Sequence, residues 1–217
     1  MDRVTLSDGV VTLTPFRVED IDAHLAGEDE QLVRWLNGAP STRAATEAYV
    51  RRCTAQWASG GPARAFGIRT GPGPTLAGTI DLRFALPDLG PDQVNIAYGL
   101  YPQWRGRGLA TRAVHLVCGY AAGEGAAQGV IRVDPENGAS AAVARRAGFR
   151  RAGEAPVTGR DGHRLDWYLR DLASGSVPGP GVGPGVGPGV GPGRVLTWTR
   201  PEEPVKIWRT PVRFDGY

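Results

Sequence analysis

The stretch Gln103-Trp104-Arg105-Gly106-Arg107-Gly108-Leu109-Ala110 has the residue types and spacing of an anion site. It lies between a strand-like run, residues 94–101, and a helix-like run, residues 109–122. The first amides of a helix lack intrahelical acceptors, and the positive end of the helix dipole reinforces them. Glycines at 106 and 108 let a backbone come close to a ligand, and Arg105 and Arg107 set cations beside it. Phosphate or pyrophosphate is the ligand such a turn suits. A dinucleotide turn is excluded because the third glycine position is Thr111 and the turn lies behind antiparallel strands. A P-loop is excluded because no Gly-Lys-Ser/Thr follows. The plain alternative is a glycine-rich turn with exposed arginines.

Acid–base chemistry has fewer candidates. If residues 76–84 and 94–101 pair symmetrically about Asp88, Asp81 stands opposite Asn95 on one face. A carboxylate beside an amide can orient an amine or a water; a solvated strand pair is the alternative, and one slip of register separates the two. Asp166, Glu154 and His163 on the final hairpin are weaker candidates. The three histidines are scattered, and no Cys/His cluster has metal-ligand spacing, so no metal is expected.

The elements that must position these groups follow from periodicity and breakers. Residues 10–15 alternate as a strand, and 18–25 and 28–36 read as short helices. Ser41 or Thr42 caps a longer helix that runs to about Ser59 and stops at Gly60-Gly61-Pro62. Residues 64–70, 76–84 and 94–101 read as strands, 130–133 as a buried strand, and 137–147 as a helix ended by Gly148 in the left-handed region. Residues 149–153 and 165–172 are the last strands, joined by a polar turn at 159–162. Strand, helix and strand around 109–122 imply a parallel pair, whereas 76–84 and 94–101 are close enough to be antiparallel. The fold class is therefore α/β or α+β, a mixed, mostly antiparallel sheet flanked by helices.

Composition bounds the rest. The 217 residues carry a net charge of +3 and 41% hydrophobic residues, enough for a real core and too little basic excess for a dedicated nucleic-acid binder. Arg145, Arg146, Arg150 and Arg151 form a local basic cluster. Cys53 and Cys118, in apolar helical contexts, read as buried thiols rather than a disulfide. Met1-Asp2-Arg3 opens no apolar leader and no membrane span is visible, which makes the cytoplasm the expected compartment. At Ser174 the composition changes: Gly-Pro-Gly-Val recurs from Gly179 to Val190, a spacer that cannot form a helix or a regular ladder. We divide the chain into a domain at 1–173, a linker at 174–193 and an extension at 194–217. The extension has too few apolar residues to hold a core, and suits capping a sheet edge or bridging a homodimer.

The pattern Arg105-x-x-Gly108-x-Ala110 resembles the acetyl-CoA motif of the GCN5-related N-acetyltransferases (GNAT). A second stretch, Asp134-Pro-Glu-Asn137-Gly-Ala-Ser140 followed by Val143-Ala-Arg-Arg-Ala-Gly148-Phe149, resembles the downstream motif of that superfamily's ribosomal-protein and small-amine branch. Asp161-Gly-His-Arg-Leu-Asp166-Trp-Tyr resembles its closing hairpin. The likeness covers about residues 10–172; the tail has no counterpart in it.

The resemblance implies acetyl transfer from acetyl-CoA to an amine, by direct attack in a ternary complex. Pantetheine would lie where residues 94–101 and 130–133 splay apart. Backbone groups near Leu100 and Tyr101 would pair with it and polarise the thioester carbonyl. Arg105, Gly106, Arg107, Gly108, Leu109, Ala110 and Thr111 would hold the pyrophosphate, Asn137 the pantetheine arm, and Arg145 or Arg146 a ribose phosphate. Trp35 and Tyr49 on the early helices, and Asp166, would face the acceptor. The helical tyrosine common in the family is Ala144 here, so Ser140 becomes the expected acid for the departing thiolate, with Asp81 and Asn95 the candidate base pair. At pH 7 an α-amine of pKa about 8 costs roughly 1 kcal/mol to deprotonate and a lysine about 4.6 kcal/mol, which favours an α-amine or a low-pKa small amine as acceptor. The alternative function is a non-catalytic acyl-CoA-binding module acting through its tail.

Overall fold

A computed structural model describes residues 4–154, 157–158, 162 and 164–172 of the chain. The linker at 174–193, the extension at 194–217 and His163 fall outside the described residues. The elements in chain order are β1 (Leu6–Ser7), β2 (Val11–Pro15), α1 (Ile21–Gly27), α2 (Glu30–Leu32, continued by a π turn, Val33–Asn37), α3 (Arg43–Ser59), β3 (Ala63–Thr70), β4 (Thr75–Arg83), β5 (Gln93–Leu100), α4 (Leu109–Gly123), β6 (Gln128–Val133), α5 (Gly138–Arg146), β7 (Arg150–Arg151), β8 (Val157–Thr158) and β9 (Arg164–Asp171). Of the two candidate caps for α3, Thr42 is the one used: its hydroxyl accepts from the Ala45 amide at 3.2 Å, while Ser41 turns its hydroxyl to Glu28.

The sheet runs β1-β2-β3-β4-β5-β6-β9-β7, with β8 pairing β9 off this path. Among the described strands β5 and β6 are the parallel pair, and every other pairing is antiparallel. This is the mixed, mostly antiparallel sheet expected. Strand alternation sends Leu13, Phe66, Ile80, Leu82, Val94, Ile96 and Ile131 to one face, where Ala113, Val114, Val117 and Ala144 of α4 and α5 cover them. The other face buries Ala65 and Leu76 under Phe16, Ile21, Leu32, Tyr49, Val50 and Cys53 from the early helices. Both cysteines are free and buried, as expected.

One buried feature had no sequence signal. Arg69 on β3, only 8% exposed at its side chain, donates to both carboxylate oxygens of Asp20 (2.6 and 2.7 Å) and to Thr14 Oγ1 at 2.9 Å. The pair fastens the turn before α1 to the sheet.

Candidate acetyl-CoA cleft

The site begins where the parallel pair fails. β5 and β6 are in register only from Gln93↔Gln128 to Asn95↔Val130. Beyond that point the strands part, and a cleft of ≈ 470 Å³ opens between Ile96–Leu100 and Ile131–Asp134. The Tyr101 amide bonds the Ala77 carbonyl of β4 at 2.9 Å, so strand alternation turns the amide and carbonyl of Tyr98 and Leu100 away from β4 and towards the splay. A wedge whose backbone groups lack a neighbouring strand suits an extended amide-bearing chain, which can complete the ladder on one side.

One end of the wedge is the turn before α4. Gly106 and Gly108 both have φ +74°, in the left-handed region that glycine adopts without strain. A Cβ at either position would meet no protein atom within 4 Å, so within the protein it is the bend that requires glycine. The first bond from the helix start is Arg112 N–H to Gly108 C=O at 3.2 Å, which leaves the amides of Leu109, Ala110 and Thr111 without a partner inside a helix of 15 residues. Leu100, Arg105, Gly106, Gly108, Leu109, Ala110, Thr111, Asn137, Ser140 and Arg146 all line the cleft. So does Trp35 on the π turn. Asn137 also caps α5, its Oδ1 accepting from the Ser140 amide at 3.0 Å.

Several expected residues lie elsewhere. Tyr101 points away from the cleft: its phenol meets His24 Nδ1 at 3.0 Å, its ring packs against Gly27, and its amide is spent on Ala77. Arg107 stacks over the Trp104 ring at 5.3 Å and is not part of the lining. Arg105 is not a loose cation beside the turn, because Asp29 neutralises it in a two-pronged ion pair. Tyr49 is buried and donates to Asp81 Oδ2 at 2.7 Å instead of lining the cleft. Asp166 stands opposite Val133 and is paired with Arg151.

The expected register is corrected as well. Asp81 faces Ala97, and Asn95 faces Arg83, because the strands pair about Leu89 rather than Asp88. Successive turns, Leu89 N–H to Leu86 C=O at 3.1 Å and Gln93 N–H to Gly90 C=O at 3.2 Å, shift the hairpin centre by one residue. The shift moves each partner by two positions, so Asp81 and Asn95 keep a common face as diagonal neighbours. Asn95 Oδ1 accepts from Arg132 Nε at 2.9 Å, and Asp81 is held by Tyr49 and by Arg83 at 3.0 Å. Burial raises the Asp81 carboxyl above the ordinary range, against the opposing pull of Arg83. Its Oδ1 is buried with no partner among the described residues.

Sequence reasoning missed Tyr98. Its phenol lies 3.1 Å from both the Oγ and the carbonyl oxygen of Ser140, and both residues line the cleft. Burial pushes the Tyr98 hydroxyl up to about 12, so it remains a neutral donor at physiological pH. Ala144, where the family often has tyrosine, is fully buried under the sheet. A strand tyrosine alternating with Ile96 reads as core; only the approach of α5 shows that it meets Ser140. Leu32 and Leu36 were not foreseen either. Both lie over Gly99, where a Cβ would overlap their side chains, and they form the wall opposite the α4 side.

Comparison with known proteins agrees with this geometry. Residues 11–150 match the family model described as an acetyltransferase (GNAT) domain. The chain belongs to this family and is by that membership an acetyl-CoA-dependent acyltransferase. Among solved structures, RimL, a ribosomal L7/L12 alpha-N-protein acetyltransferase in complex with coenzyme A, superposes with a TM-score of 0.68 at 19% identity, covering 79% of this chain and 100% of that one. Spermidine N-acetyltransferase from Vibrio cholerae, in complex with CoA and spermine, gives 0.62 at 14% identity, over 77% of this chain and 98% of that one. The microcin C7 self-immunity acetyltransferase MccE, in complex with acetyl-CoA and AMP, gives 0.62 at 17% identity, over 76% and 94%. At these identities the likeness is one of fold. A search of curated proteins returned no significant match. Among the described residues no helix is long and apolar enough to cross a membrane, and no His, Cys, Asp and Glu group has the makings of a metal site.

Proposed function

We propose that the protein moves the acetyl group of acetyl-CoA to a primary amine, either a peptide α-amine or a small-molecule amine, by direct attack in a ternary complex. The observation that carries this reading is the wedge between β5 and β6, which ends on the open amides of α4. Backbone groups that face the splay without a neighbouring strand, and open amides at the start of α4, suit a pantetheine arm and a diphosphate. The ribosomal-protein and polyamine acetyltransferases that share the fold support an amine acceptor.

In this mechanism the turn 106–111 holds the diphosphate, and Arg146 contributes positive charge on the α5 side. The amides of Tyr98 and Leu100 turn towards the splay and can hydrogen-bond the acyl-pantetheine chain, stabilising negative charge on the carbonyl oxygen. The amine nitrogen attacks the thioester carbon, the C–S bond breaks, and its electron pair goes to sulfur. Ser140 Oγ, kept in place by Tyr98, donates a hydrogen bond to the departing thiolate. Full transfer of the Tyr98 proton is unnecessary, because a thiol of pKa about 8.5 is a much stronger acid than this phenol and water can supply the proton. Asp81, its pKa raised by burial, is the proposed base; it and Asn95 share a face behind the lining of the cleft, so Asp81 would act through a water. Trp35 borders the acceptor. Asp166, tied to Arg151, contributes charge at the far edge of β9.

Thiol release from acetyl-CoA across a panel of amines and short peptides tests the reading. We expect CoA release that depends on an amine, with α-amines and low-pKa amines ahead of free lysine. Tight acetyl-CoA binding without release on any amine would favour the binding-module alternative.

A further inference from the structure

Resting on the acetyl-transfer reading of the cleft, we propose that Arg105, the first residue of the diphosphate-turn motif, is a clasp that fixes the acceptor wall and is not a phosphate ligand. A guanidinium has five N–H donors in a rigid fork. Nε donates to the Leu100 carbonyl at 2.9 Å; one terminal nitrogen donates to Asp29 Oδ2 at 2.7 Å and Gln31 Oε1 at 2.9 Å; the other donates to Asp29 Oδ1 at 2.7 Å. Four donations go to protein oxygens, and the anion that meets the fork head-on is already a carboxylate. A diphosphate would have to displace a matched two-pronged partner from a half-buried site.

Asp29 passes the constraint on. The same Oδ1 accepts the Leu32 amide at 3.1 Å, so the residue that grips Arg105 is also the N-cap of α2. The Arg105 hydrogen bond is the leading cause of Asp29's lowered pKa, as expected if the two act as one unit. From α2 the chain enters the π turn, a form found at functional sites because the extra residue re-aims side chains. Leu32 and Leu36 come down on Gly99, and Trp35 faces the cleft. The far end of this segment is fastened separately: the Glu28 carboxylate accepts from the Ser41 amide at 2.7 Å, from its hydroxyl at 2.6 Å and from Asn37 Nδ2. The acceptor wall is thus tied at Glu28 on one side and, through Asp29, to the bend that carries the cofactor on the other.

The experiment compares wild type, Arg105→Gln, Asp29→Asn and the double variant by calorimetry with free CoA and by amide hydrogen exchange. Asparagine keeps the cap of α2 while removing the charge that meets Arg105. The clasp predicts CoA affinity within threefold of wild type in both single variants. It also predicts exchange faster by tenfold or more confined to residues 30–37, with the double variant no worse than either single. With an amine returned by the acceptor panel, KM for the amine rises and KM for acetyl-CoA does not. A phosphate ligand gives the opposite pattern. Arg105→Gln would then weaken CoA tenfold or more, while Asp29→Asn, by releasing a cation beside the diphosphate, would leave or tighten binding; that result overturns the clasp. If Arg105→Gln fails to fold, Asp29→Asn decides alone, and unchanged exchange across 30–37 overturns it. Failure of wild type to bind CoA would sink the acetyl-transfer reading, but exchange in the free proteins would still decide the clasp.

Discussion

In the proposed mechanism Ser140 and Tyr98 divide between them what the family usually places on one helical tyrosine. The hydroxyl on α5 would serve the departing thiolate, and the phenol on β5, 3.1 Å from it, limits where that hydroxyl can point. A neutral hydrogen bond of this kind is worth about 0.5–1.5 kcal/mol, so Tyr98→Phe should lower kcat by roughly 2- to 12-fold. Ser140→Ala should lower it at least as much, and the double variant no more than Ser140→Ala alone. Steady-state kinetics decide this; additive losses would mean the two hydroxyls act separately. Asp81 makes a second prediction through linkage. Its folded pKa is raised, so between the ordinary carboxylate range and that raised value the native state binds more protons than the unfolded state, and stability falls as pH rises. Asp81→Asn should therefore gain on wild type in denaturant midpoint as pH climbs above about 4. Turnover unchanged in the same variant would withdraw Asp81 as base.

The clearest element-scale signals were punctuation. Thr42, Gly60, Gly106, Gly108 and Gly148 mark the ends of α3, the start of α4 and the end of α5, because caps and left-handed turns depend on one or two residues and little else. β1, β8 and the π turn were missed: two-residue strands have no period to detect, and a π turn differs from an α turn only in its hydrogen bonding. Hairpin register was the other failure at this scale. The loop between β4 and β5 holds two successive turns, and symmetry about Asp88 could not reveal which residue they centre on. Gly108→Ala tests the α4 start. There is room for a methyl, so the cost is confined to a left-handed backbone, about 1–2 kcal/mol. Thermal melting should report a fall of roughly 2–8 °C for a domain of this size, with weaker CoA binding as the amides re-aim. An unchanged melt together with unchanged affinity would show that the bend does not need φ > 0.

Across the whole molecule, stability leans on polar groups buried by packing of distant segments. Removing one partner of the buried Arg69–Asp20 pair strands a charge, so Asp20→Ala should cost about 3–5 kcal/mol in chemical denaturation. A loss comparable to that of a surface pair would contradict its buried role. His24 gives a pH signature. Burial lowers its folded pKa, so below about 6.5 the unfolded chain takes up a proton that the native state resists, and stability falls as pH drops. His24→Gln should flatten that part of the profile, measured by unfolding midpoints between about pH 5 and pH 7.

By itself the sequence determined the order of the longer elements, the parallel pair, the family and the glycine bend before α4, because each is encoded in neighbouring residues: a period, a cap, a glycine spacing. Tertiary structure alone decided the partners of Arg105, Asp81, Tyr98 and Arg69. Those partners lie 2 to 76 positions away along the chain, the nearest being Arg83 beside Asp81 and the farthest Asp29, held by Arg105. A long side chain is committed to whichever oxygen packing brings within 3 Å, and for the distant partners local pattern carries no record of that meeting.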